Sequence, residues 1–167
     1  MKNKVLKTQY VSKDCFICGV LNDAGLKVKF YEMETQELVG IFIAKDCHQS
    51  YPNRLHGGVS AALLDEVMGR AIMIHEPDTW GVTAELMLKY KKPIPLNEEL
   101  KVITKITRNT RIIYEAEGYI LLNNGEVAAT AHGKYMKMPI EKIARDIENK
   151  DKLIVYEEDK GPEYIEY

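Results

Sequence analysis

Several absences narrow this sequence before any motif is considered. In 167 residues no apolar run approaches the length of a membrane span, the longest being interrupted by Asp65 and Glu66. The first residues, MKNKVLKTQYVSKD, lack the apolar stretch of a signal peptide. A cytoplasmic protein with no membrane partner is therefore the expectation. Basic charge is not in excess: 23 Lys and Arg face 25 Asp and Glu, for a net charge of −2, which argues against nucleic acid as a partner. There is no G-x-S-x-G nucleophile elbow, no Walker loop and no dinucleotide fingerprint, so no nucleotide cofactor is expected. Internal repeats and low-complexity segments are also missing.

Cysteine is scarce and odd in number. Cys15, Cys18 and Cys47 do not make a disulfide framework. The C-x-x-C spacing of Cys15 and Cys18 suits a metal, and Cys47-His48 would add two ligands. No second C-x-x-C follows, however, and Cys47 and His48 are too close together for a paired knuckle. His48, His75 and His132 are scattered as well, so the expectation is buried or half-buried thiols and no metal.

What is present is a composition of 46% hydrophobic and 29% charged residues, ordinary for one globular domain. The pattern predicts two strands at 26–32 and 37–44, joined as a hairpin through METQ. A polar loop, KDCHQSYPNR, leads into a helix from about Gly58 to His75. Four more strands are predicted at 82–92, 99–108, 111–122 and 126–138, with turns at RNTR and NNG. From Pro139 the spacing of Ile140, Ile143, Ala144 and Ile147 reads as a C-terminal helix, followed by a loosely held acidic tail. The domain is thus placed at 1–138, with the helix and tail at 139–167. A helix apolar on all sides is buried on all sides, which a single antiparallel sheet wrapped around it achieves; the fold class is α+β.

That helix holds the candidate chemistry. Gly57 and Gly58 let a ligand approach the free N–H groups of a helix N-terminus, or else serve a tight turn. Glu66 has Arg70 four residues on and reads as a salt-bridged structural acid. Asp65 has Gly69 at that position and no cation three residues away, which makes it a candidate base or nucleophile. His56, just ahead of the helix, reads more readily as a turn residue than as a proton carrier.

His56-Gly57-Gly58 with an aspartate nine residues after the histidine resembles the hotdog-fold acyl-CoA thioesterases. The nearest group is the PaaI-like type, related to 4-hydroxybenzoyl-CoA thioesterases. CFICG with GLKVKF, GVTAELMLKYKKPIP after the helix, and VAATAHGKYM near the end extend the resemblance over most of the chain. It implies an antiparallel sheet around one long helix, and assembly as homodimers, often dimers of dimers. It also implies that the Gly57 N–H is an oxyanion donor, Asp65 a general base or nucleophile, and Thr83 a water-positioning hydroxyl. Asn53, His56 and Gly58 would border the substrate, while Tyr90 would meet CoA and Arg108 and Arg111 its phosphates. Leu64, Met68 and Met87 would line an acyl cleft. One departure stands out: some relatives have an asparagine six residues before the histidine, where this chain has Ser50, with Gln49 and Asn53 nearby.

Gly57 and Asp65 are separated by about 12 Å along a helix axis, too far to serve one carbonyl comfortably. A twofold dimer that pairs Gly57 of one subunit with Asp65 of the other resolves this. The rival readings are a hotdog protein that binds acyl-CoA without turnover, and a dehydratase or hydratase, which would want a histidine–acid pair.

Overall fold

A computed structural model describes residues 1–143, 154–155 and 161–167. Its strands are β1 (Lys2–Thr8), β2 (Val11–Ser12), β3 (Lys29–Met33), β4 (Leu38–Ile43), β5 (Thr79–Tyr90), β6 (Glu99–Asn109), β7 (Ile113–Leu121), β8 (Val127–Pro139), β9 (Ile154–Val155) and β10 (Tyr164–Glu166). The long helix is α1 (Gly57–Arg70), continued by a tighter turn over Ala71–Ile74, and a short α2 covers Ile140–Ile143. Eight strands form one sheet in the order β10-β1-β3-β4-β6-β7-β8-β5, with every pairing antiparallel. The pair β2–β9 stands apart.

The predicted hairpins close as expected. Gln36 turns β3 into β4 with a left-handed φ of 63°, and Gly125 turns β7 into β8 at φ 82°. Helix α1 then lays one face on the sheet. Leu63, Leu64, Val67 and Met68 are fully buried against Leu100, Val102, Tyr114 and Ala116. Gly118 on β7 permits that approach: a Cβ there would stand 3.2 Å from Met68 and 3.3 Å from Leu64.

Three expectations change. Leu64 and Met68 belong to this core rather than to a cleft, and Met87 lies on the outer side of β5, beside Lys89, Glu117 and His132. The helix is not covered on all sides: Ala61, Ala62, Asp65, Glu66 and Gly69 are only half-buried in the single chain. The tail is not loose at its end, because β10 pairs with β1 (Lys2 opposite Glu166, Lys4 opposite Tyr164) and buries Ile165. Ala144 and Ile147 of the predicted C-terminal helix lie outside the described residues.

Candidate active site

The N-terminus of α1 is built by its own sequence. His56 is the N-cap in extended conformation, and its Nδ1 accepts from the Gly58 N–H at 2.9 Å. A Cβ on Gly58 would come within 3.1 Å of that Nδ1, so glycine keeps the cap closed. Gly57 has no such steric need, since a Cβ there would meet only the Tyr90 ring at 3.6 Å. The Gly57 N–H finds no acceptor among the described residues, whereas its carbonyl accepts from the Tyr90 hydroxyl at 2.8 Å. A cleft of about 370 Å³ opens here, lined by Ser50, Arg54, Gly57, Tyr90, Lys91 and Lys92 among others.

Asp65 sits two turns further along and opens into a different depression of about 260 Å³, shared with Cys15, Glu66, Arg70, Trp80 and Thr83. Its Oδ1 accepts two hydrogen bonds, from Thr83 Oγ1 at 2.9 Å and from Tyr135 Oη at 3.1 Å. Strand register explains why both hydroxyls arrive together. Thr83 on β5 pairs with Tyr135 on β8, which pairs in turn with Tyr114 on β7, so three hydroxyl side chains stand in one row across the sheet. The register of β5 shifts directly after Thr83. Tyr114 stacks on Tyr135 with ring centroids 5.0 Å apart, and its hydroxyl donates to the Gly69 carbonyl at 2.7 Å. Burial, and then the Asp65 charge, raises the Tyr135 phenol above its ordinary range, so it remains a proton donor. Both donors sit on Oδ1, and Oδ2 has no hydrogen-bond partner among the described residues.

Glu66 has the structural role read from its spacing. Its Oε1 accepts from Arg70 Nε at 2.8 Å, and Arg70 also donates to the Tyr10 carbonyl at 2.8 Å. The guanidinium is almost wholly buried, 4.5 Å over the Phe30 ring. Burial alone would lower its pKa; the Glu66 charge, with help from Cys18, more than reverses this and keeps it charged. A Glu66 carboxylate oxygen and the sulfurs of Cys15 and Cys18 lie within 4.8 Å of one another, the spacing of a metal donor set. Arg70 already supplies the positive charge there, at 3.5 Å from Cys18 Sγ. Cys47 is exposed, and His48 is buried elsewhere, with Nε2 at 2.7 Å from the Ala24 carbonyl.

The remaining candidates separate. Asn53 holds a turn at φ 59° and donates its N–H to Gln49 Oε1, so of the three residues near the missing asparagine it is Ser50 that borders the Gly57 cleft. Arg108 pairs with Glu115 at 3.3 Å, and the neighbouring Asn109 reaches Glu76, beyond the C-terminal end of α1. Within the chain, Arg108 and Arg111 therefore stand far from Gly57, at the opposite end of the helix. Arg54, Lys91 and Lys92, which the sequence did not single out, are the cations beside it, Lys92 being paired with Glu126. Tyr135 was also missed, 70 residues from Asp65 in the chain.

The thioesterase superfamily sequence profile matches residues 53–128, which include the cap, α1 and β5 to β7. Mouse acyl-coenzyme A thioesterase 13 is 24% identical over 111 residues, covering 66% of this chain and 79% of that relative. A thioesterase superfamily protein of known structure superposes with a TM-score of 0.68 at 28% identity, over 74% of this chain and 60% of the other. Zebrafish thioesterase superfamily member 2 (TM-score 0.63, 20% identity, 71% and 88% of the two chains) and the E. coli PaaI protein (0.62, 16%, 70% and 86%) share the fold. Profile, curated relative and architecture agree: this chain has the hotdog fold and is similar in sequence to the thioesterase superfamily.

Proposed function

We propose that the chain hydrolyses acyl-CoA thioesters to free acid and CoA, at sites shared between two subunits. One observation carries this reading: Gly57 and Asp65 open into different depressions of the same chain. Each holds half of what thioester hydrolysis needs. The Gly57 N–H is a free donor for the carbonyl oxygen, and Asp65 is a carboxylate with one unshared oxygen.

The surface supports an isologous dimer. β5 is an edge strand of twelve residues with no partner on its outer side among the described residues, and it exposes Val82, Met87 and Tyr90. Such an edge is a template for pairing. The half-buried strip of α1 with Asp65 lies next to it. A twofold axis through this edge would bring one subunit's Gly57 toward its partner's Asp65.

In the assembled site the Gly57 N–H polarises the thioester carbonyl. Asp65 Oδ2 takes a proton from water as the water oxygen attacks the carbonyl carbon, or attacks that carbon itself. Collapse of the intermediate breaks the carbon–sulfur bond and CoA leaves as thiolate, which needs little acid assistance; where Asp65 itself attacked, water then hydrolyses the Asp65–acyl anhydride to free acid and regenerates the carboxylate. His56 caps the helix that presents the donor, and Asn53 shapes the loop before it. Arg54 and Lys91 suit the phosphates of CoA at the Gly57 cleft, and Arg108 and Arg111 can act only if another subunit carries them there.

The test is a steady-state screen over short, medium, long and aromatic acyl-CoAs, with Asp65→Asn alongside. The expected result is turnover that Asp65→Asn lowers by about 100-fold or more while the protein stays folded and dimeric. Full activity in Asp65→Asn, or in a stable monomer, would refute the assignment. Binding without turnover would favour the binder reading, to which Ser50 in place of asparagine lends support.

A further inference from the structure

The segment Cys15-Phe16-Ile17-Cys18-Gly19 has no part in the chemistry above, yet Cys15 walls the depression that contains Asp65 and Thr83. Its conformation is specific. The Gly19 N–H donates to the Cys15 carbonyl at 2.8 Å, which closes a single tight turn. A Cβ on Gly19 would fall 2.3 Å from that oxygen and 2.6 Å from the Cys15 nitrogen, so the turn requires glycine. The turn brings the two sulfurs to the same place, within 4.8 Å of each other and of a Glu66 carboxylate oxygen.

Donors converge on both sulfurs. The Ile17 N–H points at Cys15 Sγ (3.3 Å), the Ser12 N–H at Cys18 Sγ (3.4 Å) and the Arg70 guanidinium at Cys18 Sγ (3.5 Å). Such surroundings favour thiolate over thiol. The two cysteines differ in access: Cys18 is 1% exposed, while Cys15 is half-buried and open to the depression. A hydrogen bond from Cys18, opposed by burial and by the Glu66 charge and assisted by backbone N–H groups, pulls the Cys15 thiol down to about 6. The same bond, with burial, pushes Cys18 up. Of the two sulfurs, the outer one faces the depression and the inner one is closed off from it. Cys18 also reaches Glu66 Oε1 at 3.7 Å, a ready acceptor for the proton it must give up.

We propose that Cys15 and Cys18 form a dithiol modification site that reacts with low-molecular-weight disulfides and closes an intramolecular disulfide. The Cys15 thiolate attacks one sulfur of the disulfide RSSR, forming a Cys15–SR mixed disulfide and releasing RS⁻. Cys18 then loses its proton and attacks Cys15 Sγ, which forms the Cys15–Cys18 bond and releases the second RS⁻. Two thiols are oxidised and one RSSR is reduced to two RSH. This assignment does not depend on thioester hydrolysis.

The test incubates the reduced protein with glutathione disulfide, quenches with acid, and follows intact mass and peptide maps. The expected product is lighter by two hydrogens, with the link inside the peptide that holds Cys15 and Cys18. Exposed Cys47 serves as the internal control. Cys18→Ser should accumulate one glutathione adduct on Cys15, and Cys15→Ser should slow modification of this segment at least tenfold. Thermal melts establish that both variants fold, and if either does not, the wild-type map decides alone. A glutathione adduct on Cys47 with Cys15 and Cys18 still reduced would overturn the proposal. So would one equivalent of zinc retained by the purified wild type and lost in Cys18→Ser, which would make the pair a metal site.

Discussion

Tyr135→Phe removes one oxygen and little else, which makes it the sharpest probe of how Asp65 is held. The ring remains stacked on Tyr114, and the surrounding core is untouched. What is lost is a hydrogen bond to a carboxylate oxygen at 3.1 Å and a longer one to the Asp65 carbonyl at 3.3 Å. A bond to a charged acceptor contributes about 1.5–3 kcal/mol, and the lower end applies because Asp65 is only half-buried and keeps Thr83 as a second donor. A loss of about 1.5 kcal/mol lowers the melting temperature of a chain this size by roughly 3–6 °C. The decisive measurement is a double-mutant cycle by urea unfolding, with Asp65→Ala as the second change. A coupling of about 1 kcal/mol or more is expected between residues that share a hydrogen bond. If Tyr135→Phe unfolds at the wild-type midpoint and the coupling is below about 0.3 kcal/mol, the hydroxyl row does not hold Asp65 and the reasoning fails.

Arg70→Met should destabilise by about 3–5 kcal/mol, because it strands the Glu66 carboxylate beside a buried apolar wall; chemical denaturation checks this, and restoration by the additional Glu66→Gln change identifies the cause. Gly81→Ala should cost at least about 1–3 kcal/mol, since its Cβ would fall 1.9 Å from Tyr114 Oη, whereas Gly69→Ala meets nothing nearer than 3.6 Å and should melt close to the wild type. Iodoacetamide alkylation of Cys15 should stay fast down to about pH 6 and fall below it, where an ordinary thiol near 9 would already be slow at neutrality. The groups that set this are Cys18, Glu66, Arg70 and Tyr10 together with the Ser12 and Ile17 amides, and a midpoint above pH 8 would contradict the arrangement.

The local rules carried the sequence a long way. Alternating apolar residues marked β3 to β8, and an apolar stretch of helical length marked α1, because burial on a two-sided ribbon or a helix repeats at a fixed interval. The Glu66–Arg70 pair was legible for the same reason: residues four apart on a helix are neighbours whatever the rest of the chain does. The β1 strand was not legible, as its Lys-rich, largely exposed sequence carries almost no apolar signal. It exists through backbone pairing with β3 and β10, a partnership between the two ends of the chain.

The sequence by itself determined β3 to β8 and α1, their order, the capped glycine pair and the acid left without a local partner. The tertiary structure decided everything that depends on register across the sheet. It set Thr83 opposite Tyr135, so that two hydroxyls meet on one oxygen of Asp65. It also folded Cys15 and Cys18 under the buried Arg70, and moved Arg108 and Arg111 to the far end of α1 from Gly57. Spacing along a chain predicts contact only within a helix turn or a tight hairpin; side chains 70 or 50 residues apart meet because the pairing of strands puts them there.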